Sequence, residues 1–234
     1  YVRSLYDVQG YDEVITPQGF DPKLFRTSGH LGNYNENMYR LWTEDVLEEA
    51  EMSERELFDN DPETGQPFYK TLREESFALK PMNCPSHCVI FGQRKRSYRE
   101  LPWRMADFGR LHRYERGGVV HGLSRVRTFC QDDAHIFCTP AQMQDECARS
   151  IALVFAIYRD CGFDEVAVKL STRPARRIGD DATWDALENS LSGALDRMGI
   201  AYRVNPGEGA FYGPKLEFVL RDAIGRDWQC GTLQ

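Results

Sequence analysis

Arg104–His135 reads RMADFGRLHRYERGGVVHGLSRVRTFCQDDAH, and this stretch decides the fold. The pattern predicts strand, charged loop, strand and turn. Met105–Leu111 is mixed apolar and small, and Arg113 and Glu115 follow, two residues apart. In a strand that spacing puts both side chains on one face. Gly117-Gly118 permits a loop. Arg125 and Arg127 would then share a face, with Phe129 and Gln131 continuing the alternation. Arginines, a glutamate and an aromatic ring on one hairpin suit a nucleotide, with guanidinium on phosphate and a ring against the base. The same residues would also make an ordinary salt-bridged antiparallel pair.

Outward from this stretch, helices and strands alternate. Tyr1–Gln9 reads as the end of a helix capped by Gly10, and Tyr11–Pro17 as a strand closed by proline. Asp21–Thr27 suits a short helix, Ser28–Tyr34 a polar loop, and Phe77–Lys80 a strand. A helix is expected from about Pro85 to Lys95, with Arg94, Lys95, Arg96 and Arg99 near its end. Gln142–Cys161 and Thr183–Met198 have helical apolar spacing. Strands are expected at Glu165–Ser171, Tyr202–Asn205, Leu216–Arg221 and Asp227–Leu233, with a glycine-rich turn over 207–215 and a hairpin turn at Gly225. Strands joined by short turns and interrupted by long helices predict an α+β fold, a mainly antiparallel β-sheet flanked by helices.

The chain has 234 residues, enough for one large domain, and a formal net charge of −7. Thr43–Glu63 alone holds ten acidic residues and one basic. Bulk charge therefore does not drive nucleic-acid binding, while the remainder, near neutrality, can meet RNA locally. Seven cysteines, no signal peptide and no run of eighteen apolar residues point to a cytoplasmic protein with reduced thiols and no membrane span. No P-loop and no strand–GxGxxG–helix unit is present, which argues against those nucleotide sites.

The segments RMADFG, HRYE, HGLSRVR and QDDAHIF, with KLSTRP and GEGAFYGPK, resemble the class II aminoacyl-tRNA synthetases, in particular their threonine-specific branch. The resemblance implies ATP-dependent activation of L-threonine and transfer to tRNA(Thr), with Mg²⁺ accompanying ATP. It also implies a homodimer, with the opening helix–strand unit in the dimer interface. A relative of the same fold that no longer catalyses is the alternative. The whole of 1–234 then reads as a catalytic core that stops before the family's third motif, with an acidic insertion at about 41–70. Within that insertion Ser53–Glu56 suits a capping box, Pro62–Gly65 a turn and Phe68–Lys70 a returning strand.

By the same resemblance, Arg113 bridges the amino-acid carboxylate and the α-phosphate, Glu115 reads the adenine amino group, Arg125 holds the terminal phosphate and Phe129 stacks under adenine. Gln229 joins the ATP-binding set. Gln131, Asp133, Tyr212, Lys215 and Met82 line the threonine side, while His30 and Gln234 serve transfer toward the tRNA terminus. Cys84 and His135 would hold one Zn²⁺ per subunit, with a third ligand beyond the chain end. Local spacing alone offers two other sets, Cys130/His135/Cys138 and Cys84/His87, each short of a zinc shell. A zinc that must meet a hydroxyl would separate threonine from valine, which an apolar pocket does only by roughly a hundredfold.

Overall fold

The computed structural model describes residues 1–42, 58–60, 67–69, 77–122 and 124–234. The chain divides into two compact units, one of Tyr1–Ser97 with Trp103–Phe137, the other of Tyr98–Pro102 with Cys138–Gln234.

The first unit opens with α1 (Val2–Val8) and β1 (Tyr11–Glu13), joined through Gly10 at φ +75°, where a side chain would be strained. Then come β2 (Gly19–Phe20), α2 (Pro22–Thr27), α3 (His30–Tyr34) and β3 (Arg40–Leu41). The pair β4 (Phe58–Asn60) and β5 (Pro67–Tyr69) follows, then β6 (Phe77–Leu79) and α4 (Cys84–Gly92). β7 (Trp103–Asp107), β8 (Arg110–His112), β9 (Thr128–Cys130) and β10 (Asp133–Phe137) complete it. β7 is central to one sheet, parallel to β1 and antiparallel to β10. β6 is central to another, between β2 and β3, and β8 pairs with β9. Phe25, Leu31, Met38 and Ala78 pack together as a buried cluster, with Phe20 and Tyr34 against it.

Four expectations change here. Ser28–Tyr34 is not a loop throughout, because α3 starts at His30. Gly29, at φ +77°, breaks α2 from α3, and His30 and Leu31 are buried. Burial of two side chains overrides the polar look of the segment. The first strand ends at Glu13, although the Val14 N–H still donates to the Ala106 carbonyl at 2.8 Å. The helix after Pro81 ends at Gly92 rather than Lys95; Arg96 Nε then donates to the Phe91 carbonyl at 3.3 Å, and its guanidinium lies 3.8 Å over the Trp103 ring. The central hairpin is paired only over Arg110–His112 and Thr128–Cys130, so Arg113, Glu115, Arg125 and Arg127 lie in its loop. The expected returning strand at Phe68–Lys70 appears as β5, whereas the helical piece with the Ser53–Glu56 capping box and the Pro62–Gly65 turn fall outside the described residues.

The second unit holds α5 (Pro140–Asp160), β11 (Val166–Ser171), α6 (Asp181–Met198), β12 (Tyr202–Asn205), β13 (Lys215–Arg221) and β14 (Asp227–Leu233). Strand order is β12-β11-β13-β14; β11 and β12 are parallel, the other pairs antiparallel. α5 begins with a capping box, Thr139 with Gln142, and Pro140 at its first turn. α6 is capped by Asp180, which accepts from Thr183 N, and closed by Gly199 in the left-handed region. The helices deliver Ile151, Leu191, Ala194 and Leu195 to a core shared with Val168, Leu170, Leu216 and Phe218 of the sheet. Asp222 organises the β13–β14 turn, accepting from the Ile224 and Arg226 backbone N–H groups and from Trp228 Nε1. None of the seven cysteines forms a disulfide. The architecture is α+β with mainly antiparallel pairing, as the sequence pattern predicts.

Candidate active site

The loop between β8 and β9 gathers four of the expected residues. Arg113 N–H donates to the Arg127 carbonyl at 2.9 Å, extending the ladder one residue past the strand. The Arg113 guanidinium carbon then lies 5.1 Å from the centre of the Phe129 ring, and its Nε donates to the Pro81 carbonyl at 3.0 Å. That backbone bond aims the rest of the guanidinium fork. Glu115 turns back on Arg125, Nε to Oε2 3.3 Å, with the glutamate mostly buried and the arginine mostly exposed. Arg127 Nε donates to the Glu115 carbonyl at 2.9 Å. So the cluster forms by a folded loop rather than by strand alternation.

The loop is tied to the segment after α3. Tyr114 N–H donates to the Asn37 carbonyl at 2.9 Å, Tyr114 meets Tyr39 edge-on at 5.5 Å, and Arg116 pairs with Glu36 at 2.5 Å. Tyr34 stands close enough to feel the charges of Arg113, Glu115 and Arg125, and burial raises its phenol pKa. No sequence signal singled out Tyr34; its place follows from the tertiary contact.

Around α4 the remaining residues of this unit fall into small groups. Met82 Sδ lies 2.8 Å from His30 Nε2, and Ser28 Oγ 2.8 Å from His30 Nδ1. His30 is buried, and burial lowers its pKa. Asp133 Oδ2 accepts from Asn83 Nδ2 at 3.0 Å, a buried asparagine that the sequence reading missed. Cys84 feels the Asp133 charge; burial first, and then that carboxylate, push its thiol up to about 12. His135 is not beside Cys130 on a zinc-type triplet; its Nδ1 meets His87 Nδ1 at 2.7 Å. Gln131 is exposed, its backbone N–H reaching the Gly109 carbonyl at 3.4 Å.

Among the described residues no three His, Cys, Asp or Glu side chains are grouped to hold a metal ion. A thiol and an imidazole are suitable zinc donors in kind, but two fall short of the three protein ligands of a catalytic zinc. The thiol must also lose its proton to bind, against the surroundings of Cys84.

In the second unit, Tyr212 OH donates to Gln234 Oε1, Lys215 Nζ pairs with Glu217 Oε1 at 2.8 Å, and Gln229 Nε2 donates to Thr232 Oγ1 at 3.0 Å. Gln229 lies on β14 opposite Val219, just where a bulge shifts the register between Phe218 and Val219. No helix among the described residues is long and apolar enough to cross a membrane.

The α+β fold thus carries two arginines, a glutamate and an aromatic ring on one short antiparallel hairpin. The chain belongs to the tRNA synthetase class II core domain family (G, H, P, S and T), whose model matches residues 69–234. It is similar over its whole length to the threonine–tRNA ligases of Bdellovibrio bacteriovorus, at 48% identity and 31% of that protein, and Acidiphilium cryptum, at 50% and 32%. It is also similar to the crystal structure of the RNA binding domain of threonyl-tRNA synthetase from Cryptosporidium parvum, with 43% identity and a TM-score of 0.79, covering all of this chain and 51% of that one. The chain thus spans about a third of the length of the curated relatives it matches.

Proposed function

We propose that this chain is the core of an enzyme that activates L-threonine with ATP and transfers it to tRNA(Thr). The observation that carries the reading is the β8–β9 hairpin, on which Arg113 lies over the Phe129 ring and Glu115 pairs with Arg125. The identity of about one half with threonine–tRNA ligases supports the choice of amino acid.

In the proposed reaction a carboxylate oxygen of threonine attacks the α-phosphorus in line and pyrophosphate leaves. Arg113 spans the two reacting groups and neutralises charge that builds on the α-phosphate. Phe129 supplies a face for adenine, Glu115 an acceptor for its amino group, and Arg125 a partner for the terminal phosphate. Mg²⁺ bound to the incoming ATP would supply further neutralisation of its phosphates. Gln131, Asp133 and Met82 are assigned to the amino acid, as are Tyr212 and Lys215; Gln229 is assigned to ATP, and His30 and Gln234 to transfer. The tRNA ribose hydroxyl then attacks the adenylate carbonyl and AMP leaves. Cys84 and His135 would be two donors of a zinc ion that supplies a Lewis acid for the substrate hydroxyl; no step above depends on it. A homodimer in the cytoplasm completes the proposal.

Threonine-dependent exchange of pyrophosphate into ATP tests it, in a full-length synthetase carrying this chain as its core. Exchange with threonine and not valine is expected. ATP binding without exchange for any amino acid would favour the non-catalytic alternative.

A further inference from the structure

Beneath the candidate site lies a line of buried polar groups that the proposed chemistry does not use. Lys80 and Asp107 are each 1% exposed and His87 is 0% exposed. Thr16 Oγ1 donates to Asp107 Oδ2 at 2.7 Å, and Lys80 Nζ donates to Thr16 Oγ1 at 2.7 Å while standing 3.4 Å from the same carboxylate oxygen. His87 Nε2 lies 3.6 Å from that oxygen on another side. The opposite nitrogen of the same ring, Nδ1, is 2.7 Å from His135 Nδ1, with the two rings at 89°. His135 pairs with Met105 across β7 and β10, so it shares a sheet face with Asp107, two residues on.

We propose that Asp107 and His87 are positioning residues that fix the tautomer of His135, keeping its proton on Nδ1 and its lone pair on Nε2. The reasoning starts from the two Nδ1 atoms. At 2.7 Å one must donate and the other accept, because a neutral imidazole has one N–H and one lone pair. Which way the bond runs is set at the far nitrogen of His87. That nitrogen is buried and makes no hydrogen bond. The Asp107 oxygen at 3.6 Å is too distant for one, yet close enough to attract an N–H and repel a lone pair. The His87 proton therefore sits on Nε2, its Nδ1 accepts, and His135 Nδ1–H donates. This is the reverse of the tautomer that a free neutral imidazole side chain prefers in water, so the environment must impose it. Lys80 and Thr16 hold the carboxylate in place; Gly109 leaves room for it, since a Cβ there would lie 2.6 Å from Asp107 Oδ1. The tautomer follows from this geometry alone. That the Nε2 lone pair serves substrate or metal rests on the synthetase reading.

The test is ring nitrogen spectroscopy on the chain labelled with ¹⁵N-histidine, at neutral pH with chelator present. Long-range proton–nitrogen correlations distinguish protonated from unprotonated ring nitrogens, and His135→Gln identifies the signal. In the unsubstituted chain His135 should show a protonated Nδ1 and a bare Nε2. His87→Phe removes the acceptor, and the His135 proton should move to Nε2. His87→Asn returns an acceptor oxygen near the place of Nδ1 and should restore the original pattern. A purely space-filling role for His87 predicts that neither variant moves the proton. If His87→Phe does not fold, the unsubstituted spectrum still decides, because a proton on His135 Nε2 there overturns the proposal. A chain with the expected tautomer whose full-length form shows no threonine-dependent exchange would keep this inference and remove the synthetase reading. The opposite pair of results would do the reverse.

Discussion

Arg113 is held by one backbone carbonyl and one ring, and both contacts leave the direction of its fork fixed. Arg113→Ala should lower threonine-dependent exchange by about 10²–10³-fold, the scale of losing one preorganised donor at developing charge. Arg113→Lys should recover little, because a point charge cannot span two groups as a planar fork does. Exchange near the unsubstituted rate in either variant, measured in the full-length synthetase, removes Arg113 from the role. At this scale the sequence carried residue types but not their geometry. The two-residue spacing of Arg113 and Glu115 pointed to one strand face, yet they meet their partners through a folded loop. Asp107 and Lys80 looked like ordinary members of strand segments; only the tertiary fold makes them a fully buried pair.

At the scale of the element, caps and close approaches dominate. Thr139→Ala removes the side-chain half of the α5 capping box and should cost about 1 kcal/mol, read from chemical denaturation. Gly109→Ala should cost more, about 1–3 kcal/mol, because its Cβ would meet Asp107 Oδ1 at 2.6 Å and Lys80 Nζ at 2.7 Å, both held in a buried pair. An unchanged midpoint for Gly109→Ala would mean that this pair yields easily. The pairing of Arg173 with Glu188 of α6 offers a pH test. Arg173 donates to both oxygens of Glu188 and holds its carboxyl below the ordinary 4.5. A depressed carboxyl stabilises the fold above its unfolded pKa, and that gain is lost as pH falls through the folded value. Glu188→Gln should therefore be less stable than the unsubstituted chain at pH 7, and the gap should close on acidification below about pH 4. A gap that widens with acid would contradict the assigned sign. The helices were legible because their apolar spacing, capping residues and closing glycines all agree, as at Gly199. α3 was not, since five residues carry too little period to show against a polar composition.

At the scale of the whole molecule, strand order is what the sequence could not supply. The alternation of strands and helices predicted α+β, but nothing local says that β11 lies between β12 and β13, or that β1 joins β7 from ninety residues away. Strand order does bear on the acidic segment at about 41–70. β3 and β6 are antiparallel neighbours, and Leu41 stands opposite Phe77 in their register. The chain therefore leaves and re-enters the sheet at adjacent positions, which is the connection of a hairpin whatever lies between. The motif residues assigned to ATP and threonine all lie outside residues 43–76, and the ten acidic residues of Thr43–Glu63 carry one sign of charge. Replacing 43–76 by a short glycine-rich turn should let β3 and β6 pair as before, because closing a shorter loop costs less entropy. The expected result, in the full-length synthetase, is a threonine Michaelis constant within a few-fold and an unchanged preference for threonine over valine. Normal adenylation with weakened tRNA charging would assign the segment to the RNA step. Loss of threonine binding in a variant that keeps its fold would mean that the segment shapes the amino-acid site, and the reading of it as an insertion would be wrong.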